Sequence, residues 1–132
     1  MKQKRVWIYC RTAQPDADAL ISQQELLKNY AHRCHMTVEG VTAEHGSGCD
    51  MNRKGLDEVY SAAERGEMEY VLVASITRLG RVILDTEDYV RQLKRRGVRV
   101  ICADGMSVDD HTGLLLRELI REAKACNYCG NT

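Results

Sequence analysis

Four arginines, two glycine-rich turns and a few hydroxyls hold the chemistry this chain could perform. Arg11 closes the apolar run VWIYCR, Ser47 and Gly48 lie in EHGSG behind Glu44, Arg53 belongs to NRKGL, and Arg78 and Arg81 bracket Leu-Gly in TRLGR, after Thr77. A guanidinium stays charged and offers a planar fork of donors, so clustered arginines suit phosphate oxygens better than lysines do. Backbone amides of a Gly-Ser-Gly turn can approach the same anion. If Thr77 to Arg81 is helical, Arg78 and Arg81 are three apart and share a face. For one arginine alone, a solvated side chain paired with a carboxylate is the better reading; for four at loop positions, convergence on one anion is. The nucleophile is the gap. Two residues beyond Arg11 stands Ala13, which has no hydroxyl. Thr12 has one, but strand alternation points it away from the face shared by Arg11 and Ala13.

The elements that must position these groups follow from periodicity. Val6 to Arg11 is apolar until its last residue, as in a central strand covered on both faces. Beyond Pro15, Asp16 or Asp18 can cap a helix reaching about Arg33, with Leu20, Gln24, Leu27 and Ala31 on one face and Ile21 and Tyr30 flanking. Thr37 to Thr42 reads as a second, less buried strand, followed by a loop from Glu44 to Asn52. A helix from about Arg53 to Arg65 carries Leu56, Val59, Tyr60 and Ala63 inward and stops at Gly66. Tyr70 to Ser75 is a third strand. A helix of about Leu84 to Arg96, with Tyr89, Val90 and Leu93 inward, ends at Gly97, and Val98 to Cys102 is a fourth strand. Asp109 or Asp110 starts a last helix with Leu116, Leu119, Ile120 and Ala123 as its stripe. This alternation predicts a three-layer α/β fold with a mainly parallel, four- to five-stranded sheet in the order 2-1-3-4. The crevice of such a sheet lies beyond the carboxyl ends of strands one and three, where Arg11–Ala13 and Thr77–Arg81 emerge.

Composition sets the bounds. The chain has 132 residues, enough for one domain, and 19 basic against 19 acidic residues, so no general field draws it to nucleic acid or membrane. Any anion must be held by local arginines. The apolar run after MKQKR is too short for a signal peptide or a membrane span, so a soluble, cytoplasmic protein is expected. The six cysteines are then expected as reduced thiols, with Cys10 and Cys102 as small core residues. CNYC at Cys126 to Cys129 is a metal or redox candidate to which HRCH at His32 to His35 could add ligands, but the second pair is irregular for zinc, and a frayed carboxy terminus is the better reading. No metal and no cofactor is expected.

Taken together, Tyr9-x-Arg11, Gln23 followed by Leu27 and Tyr30, Ser47-Gly48, Arg53-x-Gly55-Leu56 and Arg78-Leu79-Gly80-Arg81 resemble the catalytic domain of the resolvase/invertase serine recombinases, over about Val6 to Gly105. That resemblance implies a serine that attacks a DNA phosphodiester and forms a phosphoserine link, with arginines stabilising the phosphoryl group without a metal. It assigns Arg11, Arg53, Arg78, Arg81 and Gln23 to catalytic positions, and Ser47 and Gly48, with Arg11, Arg78 and Arg81, to DNA phosphates. Three positions depart from the family pattern: Ala13 stands where Y-x-R-x-S has its serine, Thr77 replaces an acid, and Glu44 replaces an aspartate. Thr12 could substitute only if the chain turns after Arg11. Losing a nucleophile costs several orders of magnitude in rate while positioning groups still bind, so the resemblance implies a recombination domain that is cleavage-deficient. The alternative is a non-enzymatic DNA- or recombinase-interacting regulatory module, and a small-molecule phosphate binder is a third class. The implied partners are DNA and either further copies, in a homodimer or higher oligomer, or a full-length recombinase paired through Leu115, Leu116, Leu119 and Ile120. Residues 1–132 are expected to form a single domain without a C-terminal DNA-binding domain, and a possible dimerisation helix starts at about 110–126.

Overall fold

A computed structural model describes residues 3–105. The order of elements is β1 (Lys4–Thr12), α1 (Ala17–Arg33), β2 (Met36–His45), α2 (Lys54–Glu64), β3 (Tyr70–Val73), a 3-10 turn (Ile76–Arg78), α3 (Ile83–Arg95) and β4 (Arg99–Cys102). The four strands form one sheet in the order β2-β1-β3-β4, with every pairing parallel. The expected 2-1-3-4 order is thus observed, with four strands among the described residues. The candidate dimerisation helix, Leu115 to Ile120 and the Cys126–Cys129 pair lie outside them.

Alternation along β1 builds both layers of core. Val6, Ile8 and Cys10 pack with Leu27 and Ala31 of α1 and with Leu72, while Tyr9 packs with Leu56 and Val59 of α2, Val71 and Val73 of β3, and Val90 and Leu93 of α3. Consecutive side chains of a strand point to opposite faces, so one strand serves two cores. Each fully buried Leu, Ile or Val is worth about 1.5–3 kcal/mol of transfer energy.

The helix ends follow local chemistry. Asp16 caps α1 by accepting from the Ala19 N–H at 2.9 Å. Gly66 and Gly97 take φ of +70° and +78° just past α2 and α3, backbone that side chains other than glycine's resist. The expected α1 face holds for Leu27 and Ala31, which are buried, whereas Ile21 is 55% exposed.

Two of the boundaries that differ from expectation bear on the site. β2 continues through Glu44 and His45, because β1 runs on to Thr12 and pairs Arg11 with Glu44 and Thr12 with His45. β3 stops at Val73, and Ser75 precedes the 3-10 turn instead of extending the strand.

Cys10 and Cys102 are buried as expected, and Cys34 is exposed. Cys49 is disulfide-bonded, which corrects the expectation of thiols throughout. Burial pushes the Cys10 thiol up to about 11, against a smaller opposing pull from Arg78. The thiolate is the reactive form, so at pH 8 alkylation of Cys10 should be about a hundredfold slower than that of an unhindered reference peptide thiol. Peptide mapping after timed alkylation measures this, and comparable rates would contradict the burial of Cys10. Among the described residues no helix is long and apolar enough to cross a membrane.

Candidate functional site

The end of β1 places Arg11 on the same side as Tyr9, and Arg11 is fully buried. Each of its nitrogens donates to a main-chain carbonyl: Nε to Arg78 at 3.0 Å, Nη1 to Gly46 at 2.8 Å and Nη2 to Thr77 at 2.9 Å. One side chain therefore ties β1 to the loop after β2 and to the 3-10 turn after β3. The Arg11 main chain is fixed as well. Its N–H donates to Gln23 Oε1, and its carbonyl accepts from Gln23 Nε2, both at 3.2 Å, and from Arg78 Nη1 at 2.9 Å. The Gln23 amide stands in for a strand partner that β3, ended at Val73, does not supply.

The loop from Gly46 closes over this end of the sheet. The Gly46 N–H donates to Thr12 O at 2.9 Å, and the Arg81 N–H donates to Gly48 O at 2.7 Å. A Cβ at Gly48 would lie 2.8 Å from Arg81 Cγ and 3.0 Å from Arg11 Nη2, so only glycine lets the loop settle between the two arginines. Ser47 is exposed, and its Oγ accepts from the Cys49 N–H at 3.1 Å. TRLGR is not one helix. The 3-10 turn ends at Arg78, and a Cβ on Gly80 would lie 2.6 Å from both Met51 Sδ and Thr86 Oγ1. Arg78 and Arg81 therefore do not share a helical face; each reaches the site through its own contact with β1 or the loop.

Arg53 is the N-cap residue of α2 and is 5% exposed. Its Nη2 donates to Leu79 O, and its guanidinium lies 5.8 Å from the centre of the Tyr9 ring. Its Nε and Nη1 are buried without a hydrogen-bond partner among the described residues. The Tyr9 hydroxyl donates to Glu44 Oε2 at 2.6 Å, and Glu44 Oε1 accepts from the Gly55 N–H at 2.9 Å. Glu44 is thus occupied at the start of α2.

Among the described residues Arg11, Arg53 and Arg78 make no ion pair. Burial first, then the charges of Arg53, Arg81 and Arg78, pulls the Arg11 guanidinium down to about 10, with Tyr9 opposing. Burial also holds the Tyr9 hydroxyl above the usual phenol range, opposed by Arg53 and assisted by its hydrogen bond to Glu44.

The structure brings together all four arginines expected from the sequence. It also changes what several neighbours can do. Arg11 is interior, and its side-chain donors are taken by carbonyls. The Thr12 hydroxyl is nearly buried and donates to Gln14 O at 2.7 Å, so it is not presented as a substitute nucleophile. Ala13 is exposed at the mouth. Thr77 is buried and shares a 2.8 Å hydrogen bond with Ser75. The linkage of Tyr9, Glu44 and Gly55 was not foreseen; its one sequence signal is a glycine in the first turn of an amphipathic helix. Among the described residues no group of three or more His, Cys, Asp or Glu side chains is placed to hold a metal.

The whole architecture has known counterparts. The catalytic domain of ISC1926 TnpA, an IS607-like serine recombinase, is 27% identical, with 94% of this chain and 84% of that one covered and a TM-score of 0.72. The N-terminal catalytic domain of TP901-1 integrase superposes at a TM-score of 0.74, with 22% identity and coverage of 94% and 97%. A resolvase family site-specific recombinase from Streptococcus pneumoniae gives 0.72, with 21% identity and coverage of 95% and 89%. No curated protein sequence matches. Residues 6–125 match the family described as Resolvase, N terminal domain. A four-stranded parallel sheet in the order 2-1-3-4, these serine recombinase neighbours and a family match over most of the chain agree: the chain has the fold of a serine recombinase catalytic domain and belongs to the resolvase N-terminal domain family.

Proposed function

We propose that this domain holds DNA backbone phosphates at its arginine cluster without breaking the phosphodiester bond. The observation that carries this reading is Arg53, a buried guanidinium whose Nε and Nη1 have no hydrogen-bond partner among the described residues and which lies close enough to Arg11 to act on its charge. Buried donors are rarely left unpaired, and an orphaned one calls for a missing acceptor. A phosphate is an acceptor that also offsets the charge. Arg78 and Arg81, both half-buried, stand at the mouth for direct contact, while Arg11 holds the frame. Ala13, exposed at that mouth with a methyl group, offers no oxygen to attack phosphorus, which supports a site that binds and does not cleave.

The test is binding of a short DNA duplex by fluorescence anisotropy across a salt series. Each phosphate-contacting arginine releases counterions, so Arg78→Ala and Arg81→Ala should each weaken binding and lower the slope of log K against log salt by about 1. Unchanged slopes in both variants would remove DNA phosphate from the site.

A further inference from the structure

α2 begins without a cap of its own: Arg53, at the N-cap, makes no side-chain capping bond. The orphaned amides of a helix start need an acceptor, and a carboxylate there also meets the positive end of the helix dipole. In this chain that acceptor comes from β2. Glu44 Oε1 takes the Gly55 N–H at 2.9 Å, while Oε2 takes the Tyr9 hydroxyl at 2.6 Å. The fit leaves no slack, since a Cβ on Gly55 would lie 2.3 Å from Glu44 Oε2. Tyr9 in turn lies beneath the Arg53 guanidinium, ring centre to Cζ 5.8 Å. Both ends of Arg53 are therefore set by the same pair, its main chain through the capped helix start and its guanidinium through the Tyr9 ring.

We propose that Glu44 and Tyr9 are positioning residues for Arg53, holding its unpartnered Nε and Nη1 where an anion can be met. Glu44 is then a working part of the site, not a lesion relative to the family's aspartate. The inference rests on the phosphate-binding function proposed above.

The experiment must leave charge unchanged, because Glu44→Gln would also raise the positive potential and strengthen anion binding by another route. Gly55→Ala places a methyl group in the space of the Glu44 carboxylate without altering any charge, and Tyr9→Phe removes one hydroxyl. The probe is the same short DNA duplex, measured with the full chain in a double-mutant cycle against Arg53→Ala. Gly55→Ala should weaken binding about tenfold when Arg53 is present and by less than about twofold in the Arg53→Ala background. Tyr9→Phe should be smaller in effect but equally silent without Arg53, and it decides the matter if circular dichroism finds Gly55→Ala unfolded. A second readout is the Arg53 Nε–H resonance, which should move in both variants before any DNA is added. Equal losses with and without Arg53, or no loss in either variant, would overturn the positioning role. If instead the unmodified chain shows no binding that depends on Arg78 and Arg81, it is the phosphate function that fails.

Discussion

Ala13→Ser is expected to let the proposed phosphate site form a covalent protein–DNA adduct. Residue 13 is exposed two positions beyond the fixed Arg11, so one added oxygen meets no packing penalty. The serine Oγ would form a bond to phosphorus as the bond from phosphorus to the leaving deoxyribose oxygen breaks, with Arg53, Arg78 and Arg81 stabilising the transferring group. Removing a serine nucleophile elsewhere costs up to about a millionfold in turnover, so the gain should exceed a thousandfold over the parent chain. The measurement is an SDS-stable adduct on a nicked suicide duplex, with the domain tethered to a sequence-specific DNA-binding module to raise its effective concentration to about millimolar. An adduct in the parent chain would refute cleavage deficiency. Failure of Ala13→Ser alone to react would place a further defect at Thr77, the remaining departure from the family pattern.

The second large effect is on stability. Arg11→Met keeps much of the side chain's volume but removes three charged hydrogen bonds, leaving the carbonyls of Gly46, Thr77 and Arg78 without their donor. Bonds of this kind contribute about 1.5–3 kcal/mol each. Against this, burial beside like charges costs the native state: a fall from 12.5 to about 10 corresponds to about 3 kcal/mol. The hydrogen bonds win, and we expect a net loss of about 3 kcal/mol in urea unfolding at pH 7. The pH dependence has a definite sign. Between about 10 and 12.5 the unfolded chain holds the Arg11 proton more tightly than the native one, so stability from this group rises with pH. The deficit of Arg11→Met should therefore widen as pH rises through 10. A variant as stable as the parent, or a gap that narrows, would mean that Arg11 is not the tie between the three segments.

These two predictions concern neighbouring positions that the sequence treats alike and the fold separates. From the sequence, Arg11 and Ala13 were both site positions on one strand face. In the structure Arg11 is interior framework and Ala13 is the exposed mouth, because β1 ends between them and the Gly46 loop covers only the former. Gln23 has a similar history. The helix glutamine was assigned to catalysis by resemblance, yet its amide is spent on the Arg11 main chain. Glu44 was counted as an altered position in a loop and is instead the last but one residue of β2, capping α2.

What the sequence determined by itself was the order of elements, the 2-1-3-4 sheet and the inventory of arginines, because periods of 2 and 3.6 residues and glycine stops are local signals. It also determined that residue 13 has no hydroxyl. Only the tertiary structure decided which donors remain to be used. The carbonyl partners of Arg11 are 35, 66 and 67 residues away, and the two donors to Glu44, the Tyr9 hydroxyl and the Gly55 N–H, are 35 and 11 away. No local period encodes such pairings. They arise when the crossovers bring the ends of β1, β2 and β3 to one edge, where buried donors seek acceptors and two on Arg53 find none among the described residues.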